Sequence, residues 1–187
     1  MTTANTGEIT ALLRRIEQGD AAAHEQLARL VRSSLKRIAA NRLRREQPGH
    51  PYSTSDLVHE AYLRLFKKKD IHWEGGGHFF KMAATEMRRI LIEIARKDPV
   101  IKLRLEDVPG LTFSHDPDLL KVNEVFDDLA RIDPRRAEIA ELKYFSGYGI
   151  EEIARITGIP RGTVKRHWAT AKAFIKHQLD HSAEVTE

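Results

Sequence analysis

The residues of this chain best suited to chemistry are cations spaced along helical patterns. Arg161, Lys165, Arg166, Lys172 and Lys176 stand between positions 161 and 179 with no acidic residue among them. Arg161, Gly162, Thr163, Lys165 and Arg166 fall at the start of that pattern. This is the end of a recognition helix that enters a major groove, and a helix N-terminus itself favours a phosphate. The stretch just before it is acidic, with Glu151 and Glu152. A second basic set, Arg29, Arg32, Lys36, Arg37, Arg42, Arg44 and Arg45, runs without an acid between 29 and 45. For that set a solvated helix face and contact with nucleic acid or protein stay equally open. Arg88, Arg89, Arg96 and Lys97 form a third set.

Other chemistries lack their parts. The nine histidines are scattered, His59, His72 and His78 have no ligand spacing with a fourth group, and there is no cysteine. Gly75-Gly76-Gly77 is not followed by the Lys-Ser/Thr of a phosphate-cradling loop. The serines have no triad context. The expectation is a protein that binds and does not catalyse, with no cofactor and no metal.

The chain of 187 residues is 41% hydrophobic and 31% charged, with a net charge of +4. That is apolar enough to bury a core, and more ionic than the roughly 25% charged residues of an average soluble chain. No segment approaches the roughly 20 apolar residues of a membrane span. Met1 to Gly7 lacks the layout of a secretory signal, and the absence of cysteine fits a reducing compartment. A cytoplasmic location is expected.

These cations need helices to hold them, and the hydrophobic period is helical nearly throughout. Ile9, Leu12, Leu13 and Ile16 mark a first helix, which Gly19 stops, and Asp20 caps the next. The second runs to about Gln47, before Pro48-Gly49. A third starts near Thr54 or Ser55, with Val58, Ala61, Tyr62 and Leu65 on one face. The reading makes 67–77 a loop, because three glycines hold a helix poorly. A fourth helix runs from about His78 to Lys97 and buries Phe80, Ala83, Met87 and Leu91. Residues 98–117 lack a helical period and carry Pro99, Pro109, Gly110 and Pro117, which reads as a linker. Beyond it, Asp133-Pro134 looks like an N-cap followed by proline at the first helical position.

The expected fold is therefore all-α: two small helical domains, 8–97 and 118–181, joined by a linker at 98–117. Residues 150–167 have a helix-turn-helix layout: small Ala154 at the crossing, Gly158 in the turn, and Val164 anchoring the second helix. An ordinary helical hairpin is the bland alternative. Trp168 shares a face with Val164, Ala171 and Ile175 and reads as core.

With these elements placed, a family resemblance emerges. Asp56-Leu57-Val58-His59-Glu60-Ala61-Tyr62-Leu63-Arg64-Leu65-Phe66 resembles the polymerase-binding helix of sigma-70 family factors. Gly162-Thr163-Val164-Lys165-Arg166 resembles the start of their recognition helix. His78 to Ala84, Arg88 to Ile92, and Thr163 to Trp168 are similar to a subgroup of extracytoplasmic-function (ECF) sigma factors.

The resemblance implies a protein that binds core RNA polymerase and directs it to promoter DNA. The N-terminal domain would read the −10 element and the C-terminal domain the −35 element. Asp56, Leu57, Val58, Glu60, Ala61 and Leu65 would face the polymerase clamp. Arg161, Gly162, Thr163, Lys165 and Arg166 would face −35 DNA. Trp73, His78, Arg88, Arg89 and Arg96 would serve the −10 side, with Trp73, beside the glycine run, the candidate for stacking a base. One base stacked on an aromatic gains about 1–3 kcal/mol, enough to offset about one or two DNA stacking steps of about 1.4 kcal/mol each. A protein of this kind traps openings together with polymerase. The competing expectation is a stand-alone helix-turn-helix regulator that binds an operator without polymerase.

One departure from the family stands out. The acidic cluster common before the polymerase-binding helix is replaced by Ser53-Thr54-Ser55-Asp56. Phosphorylation of Ser53, Thr54 or Ser55 would restore charge, about −1.5 to −2 per phosphate, at a helix N-terminus where anions are favoured. Plain N-capping explains the same residues. A Ser/Thr kinase or an anti-sigma protein is the regulatory partner the resemblance suggests.

Overall fold

The structure, a computed structural model, describes residues 6–43, 53–67, 71–97 and 119–184. The expected linker at 98–117 and the expected end of the second helix near Gln47 lie outside the described residues. Every regular element described is an α-helix: α1 (Thr6–Glu17), α2 (Ala21–Leu43), α3 (Thr54–Lys67), α4 (Gly76–Lys97), α5 (Leu119–Ile132), α6 (Pro134–Tyr144), α7 (Ile150–Thr157) and α8 (Arg161–Glu184).

Local chemistry sets the boundaries. The α1–α2 corner closes with the Gly19 N–H on the Ile16 carbonyl at 2.9 Å and the Asp20 N–H on the Arg15 carbonyl at 3.0 Å. Asp20 Oδ1 then accepts from the Ala22 N–H at 3.0 Å, which satisfies a donor that a helix start leaves orphaned. Asp133 caps α6 in the same way, accepting from the Arg136 N–H at 3.0 Å with Pro134 following.

Helices α1 to α4 form one bundle, with contacts between α1 and α2, α2 and α3, α3 and α4, and α1 and α4. Its core is the periodic apolar set: Ile9 and Leu13, then Leu27, Val31, Leu35 and Ile38, then Leu57, Ala61 and Leu65, then Phe79, Phe80, Ala83 and Met87. Helices α5 to α8 form a second bundle around Val122, Phe126, Ile139, Leu142, Ile153, Val164 and Ile175. Burying each large apolar side chain contributes about 1.5–3 kcal/mol, so both stripes stabilise their helices well beyond propensity.

One feature departs from the sequence reading and a second was not addressed by it. The glycine run was expected to stay in a loop, yet α4 begins at Gly76. Close packing is the reason. A Cβ on Gly76 would lie 2.6 Å from the Thr6 carbonyl oxygen, and one on Gly77 would run into the Ile156 carbonyl oxygen. The Gly76 N–H also donates to Thr10 Oγ1 at 2.9 Å. Only glycine lets α4 enter this corner, and the contacts offset its low helix propensity. The second feature is the junction: α4 packs against α5, α6 and α7, so the two bundles share one continuous apolar cluster.

Candidate nucleic-acid and polymerase interfaces

The helix-turn-helix is built from α7, a short turn and α8. Glu152 Oε2 accepts from the Gly149 N–H at 2.9 Å, closing the start of α7. At the other end Thr157 Oγ1 donates to the Ile153 carbonyl at 2.7 Å. Gly158 has φ +69°, with nothing within 4 Å of where a Cβ would stand, so glycine is required there by the backbone and not by space. The Pro160 carbonyl accepts from the N–H groups of Thr163 and Val164 at 2.9 and 3.0 Å and starts α8. Val164, Trp168, Ala171, Ile175 and Leu179 form the buried stripe, so Trp168 is core as expected.

That stripe turns the other face outward. Arg161, Gly162, Lys165 and Arg166 are exposed and Thr163 is partly so, with no acid in the first turn of α8. The predicted −35 set therefore shares one uncovered helix end. Of the two acids before it, Glu151 reaches across the turn to Arg161, Oε1 to Nε 2.9 Å, with both side chains largely exposed. Glu152 turns the other way and pairs with Arg37 of α2, Oε1 to Nη1 2.8 Å. Burial alone would raise the Glu152 pKa. The Gly149 N–H and the Arg37 guanidinium hold it below the ordinary value instead.

The start of α3 is a capping arrangement. The Asp56 N–H donates to Ser53 Oγ at 3.2 Å, while Asp56 Oδ2 accepts from the Ser53 N–H at 2.9 Å and from its hydroxyl at 2.7 Å. The Ser53 hydroxyl, followed by its backbone N–H, holds the Asp56 carboxyl below its ordinary pKa. The Ser53 hydroxyl is thus engaged, while Ser55 is exposed and Thr54 half-buried.

Leu57, Ala61 and Leu65 do not face outward. All three are fully buried against the bundle, because positions four apart fall on one helix face and that face is the core stripe. The outward side of α3 instead presents Asp56, His59 and Leu63, the last 38% exposed, while Val58 is partly buried against the core. Glu60 is partly exposed and ion-paired to Arg64 at 2.7 Å. Arg64 also donates both Nη groups to Glu93 of α4, at 2.8 and 3.0 Å, raising its own basicity and lowering the Glu93 pKa. Between α2 and α3 lies a groove of about 260 Å³ lined by Arg29, Arg32, Lys36, Ser55, Val58 and His59. An acid-free charge run marks the cations of α2 in sequence, but not that they share a groove with Ser55.

The −10 set is divided. Arg89 and Arg96 are exposed, with Arg89 paired to Glu86 at 2.8 Å. His78 is half-buried and its Nδ1 accepts from the Glu74 N–H at 3.3 Å. Trp73 is only 8% exposed and stacks among Phe66, Phe79 and His78 at ring separations of 5.6, 5.8 and 5.9 Å. Its aromatic face is core here and not available to a base. Arg88 has a side chain 11% exposed and turned into the junction. It donates to Asn123 Oδ1 at 3.0 Å and to Asp127 Oδ1 at 2.7 Å, reaches Glu141 at 3.5 Å, and lies over the rings of Phe126 and Phe145. The holders of Arg88 escaped the sequence reading. Their only signal was a polar pair four apart on α5, Asn123 and Asp127, flanking the Val122 and Phe126 stripe.

Among the described residues no three His, Asp or Glu side chains cluster closely enough to hold a metal ion, and no helix is long and apolar enough to cross a membrane. No curated protein matches the chain. A family model described as ECF sigma factor matches residues 6–181. Because that match runs through both bundles and the helix-turn-helix, the protein belongs to the ECF sigma factors, DNA-binding transcription-initiation proteins that act with RNA polymerase at promoters and are not enzymes.

Proposed function

We propose that this sigma factor holds −35 DNA with the exposed N-terminal end of α8, through Arg161, Gly162, Thr163, Lys165 and Arg166. The acid-free basic end of a helix-turn-helix, set outward by the Val164–Trp168 stripe, carries the reading. Polymerase is held by the outer face of α3, Asp56, Glu60 and Leu63, together with the adjoining groove, which Val58 lines. Arg89, Arg96 and His78 serve the −10 strand from α4, and Arg88 joins them once it leaves the junction. The protein works in the cytoplasm, where polymerase and promoter are.

The missing acidic cluster is supplied by phosphorylation in this reading. Ser53 is engaged in the α3 cap, so Ser55 and then Thr54 are the acceptors. The partner is a Ser/Thr kinase; an anti-sigma protein would compete for the same face of α3. Promoter-specific run-off transcription with reconstituted polymerase tests the whole. Lys165→Ala/Arg166→Ala abolishes −35-dependent transcripts, and Ser55→Ala/Thr54→Ala removes any gain from kinase treatment. Tight operator binding by a protein that never associates with polymerase would instead favour a stand-alone regulator.

A further inference from the structure

His177 and His181 stand one turn apart on α8, and no other two of the nine histidines in the chain are three or four residues apart. The buried stripe of α8 runs through Ala171, Ile175 and Leu179, so both imidazoles lie on the outer face and are exposed. Their ring centroids are 4.1 Å apart, with 52° between the ring planes. Nδ1 of His181 lies 3.1 Å from the His177 carbonyl oxygen. A carbonyl oxygen can only accept, so Nδ1 carries the hydrogen and donates it. In the neutral ring that leaves Nε2 as the nitrogen with a lone pair to offer. A backbone hydrogen bond of this kind typically supports a metal-bound imidazole: it fixes the tautomer and raises the basicity of the ligand. His181 also lies in the last turn of α8, where unpaired carbonyls favour a cation.

We propose that His177 and His181 chelate one divalent transition-metal ion, of the zinc or copper(II) class, and so close the last turns of α8. Two residues four apart on a helix project to one side and bring two nitrogens to one ion. Imidazole suits zinc and copper, whereas magnesium and calcium seek oxygen. Two protein ligands are fewer than the three or four of enclosed sites, so water fills the remaining positions and the ion is bound reversibly. The chelate exists only while both residues are helical, so the ion stabilises the folded chain by binding it. Arg166 lies roughly 16 Å away along the helix axis, at about 1.5 Å per residue, so the ion and −35 DNA occupy separate ends of α8. The site depends on α8 alone and not on the promoter or polymerase assignments.

The test uses the full chain without a polyhistidine tag. Isothermal titration with zinc chloride, copper(II) chloride and magnesium chloride is run on wild type, His177→Ala and His181→Ala. His72→Ala, which removes an exposed histidine outside the pair, controls for binding by scattered imidazoles. Both pair positions are exposed and alanine is a strong helix former, so the variants keep the fold, and circular dichroism checks that they do. Thermal melts are recorded with and without zinc. Electron paramagnetic resonance of the copper(II) form counts the coordinated nitrogens.

The expected result is one tightly held zinc or copper(II) per wild-type chain and no response to magnesium. Affinity falls at least tenfold in each pair variant, while His72→Ala matches wild type. Zinc at about 100 times its dissociation constant raises the wild-type melting temperature by at least about 3 °C and leaves both pair variants unmoved. Copper(II) shows two nitrogens in wild type and one in either variant. Unchanged zinc affinity in either pair variant overturns the site. A loss in His72→Ala equal to that of the pair variants means scattered surface binding and overturns it as well. Tight binding with no rise in melting temperature overturns the closing of the helix end.

Discussion

Replacing Glu151 with glutamine should strengthen the grip on −35 DNA. In the structure Glu151 reaches over the turn to Arg161, 2.9 Å from carboxylate to guanidinium, with side chains 60% and 74% exposed. A pair this exposed is worth about 0.2–1 kcal/mol. Arg161 must give up that amount, in whole or part, to reach a phosphate, and the carboxylate repels the same phosphate. Removing the charge therefore predicts roughly 1.4- to 5-fold tighter binding of a −35 duplex. Glutamine keeps the side-chain length, so the fold loses at most about 1 kcal/mol from the first turn of α7.

The assay is fluorescence anisotropy on the duplex at low and at near-physiological salt. The gain should shrink as salt rises, because both effects are screened. A second background separates them: in Arg161→Ala the Glu151→Gln gain should fall by about the pair's coupling. Equal or weaker binding by Glu151→Gln at low salt would refute the reasoning, as would a gain of full size in the Arg161→Ala background.

Gly158→Ala tests the turn of the same motif. With φ +69° and open space around it, the cost is backbone strain alone, about 1–2 kcal/mol. At roughly 2–4 °C per kcal/mol for a chain of this size, calorimetry should show a fall of a few degrees, and no fall would contradict the strain argument. Trp73→Ala should destabilise by about 3–5 kcal/mol, because the ring is core. Denaturant melts that match wild type, with only strand binding lost, would restore Trp73 as a base-stacking residue. For pH, Glu93 and Glu152 have folded pKa values below their ordinary 4.5. Their contribution is fully present above that value and disappears as pH falls through the lower folded values. Stability should stay level through neutrality and drop on acidification below about 4.5; a drop already complete at pH 6 would mean other groups control it.

Much of this fold can be read directly from residues. Asp133-Pro134, Gly158 and the Val164–Trp168 stripe carry local instructions, and each sits where its chemistry demands. The basic end of α8 was legible for the same reason, since a periodic apolar face fixes which residues point away. What escaped was tertiary. Propensity counts the cost of helical glycine at Gly76 and Gly77, but not a neighbouring backbone that leaves no space for a Cβ. Leu57, Ala61 and Leu65 follow the core period, and only the family pattern had turned them toward a partner. Arg88 looks the same in sequence whether it faces DNA, water or Asp127. Only the docking of the second bundle decides among them.

The most direct test of the account is run-off transcription from a cognate promoter with reconstituted core polymerase and purified protein, wild type beside Lys165→Ala/Arg166→Ala. The account predicts discrete promoter-dependent transcripts with the wild type and loss of the −35-dependent ones with the variant, while polymerase binding is kept. Transcripts of equal strength from both proteins would contradict the placing of the −35 contact on the exposed end of α8.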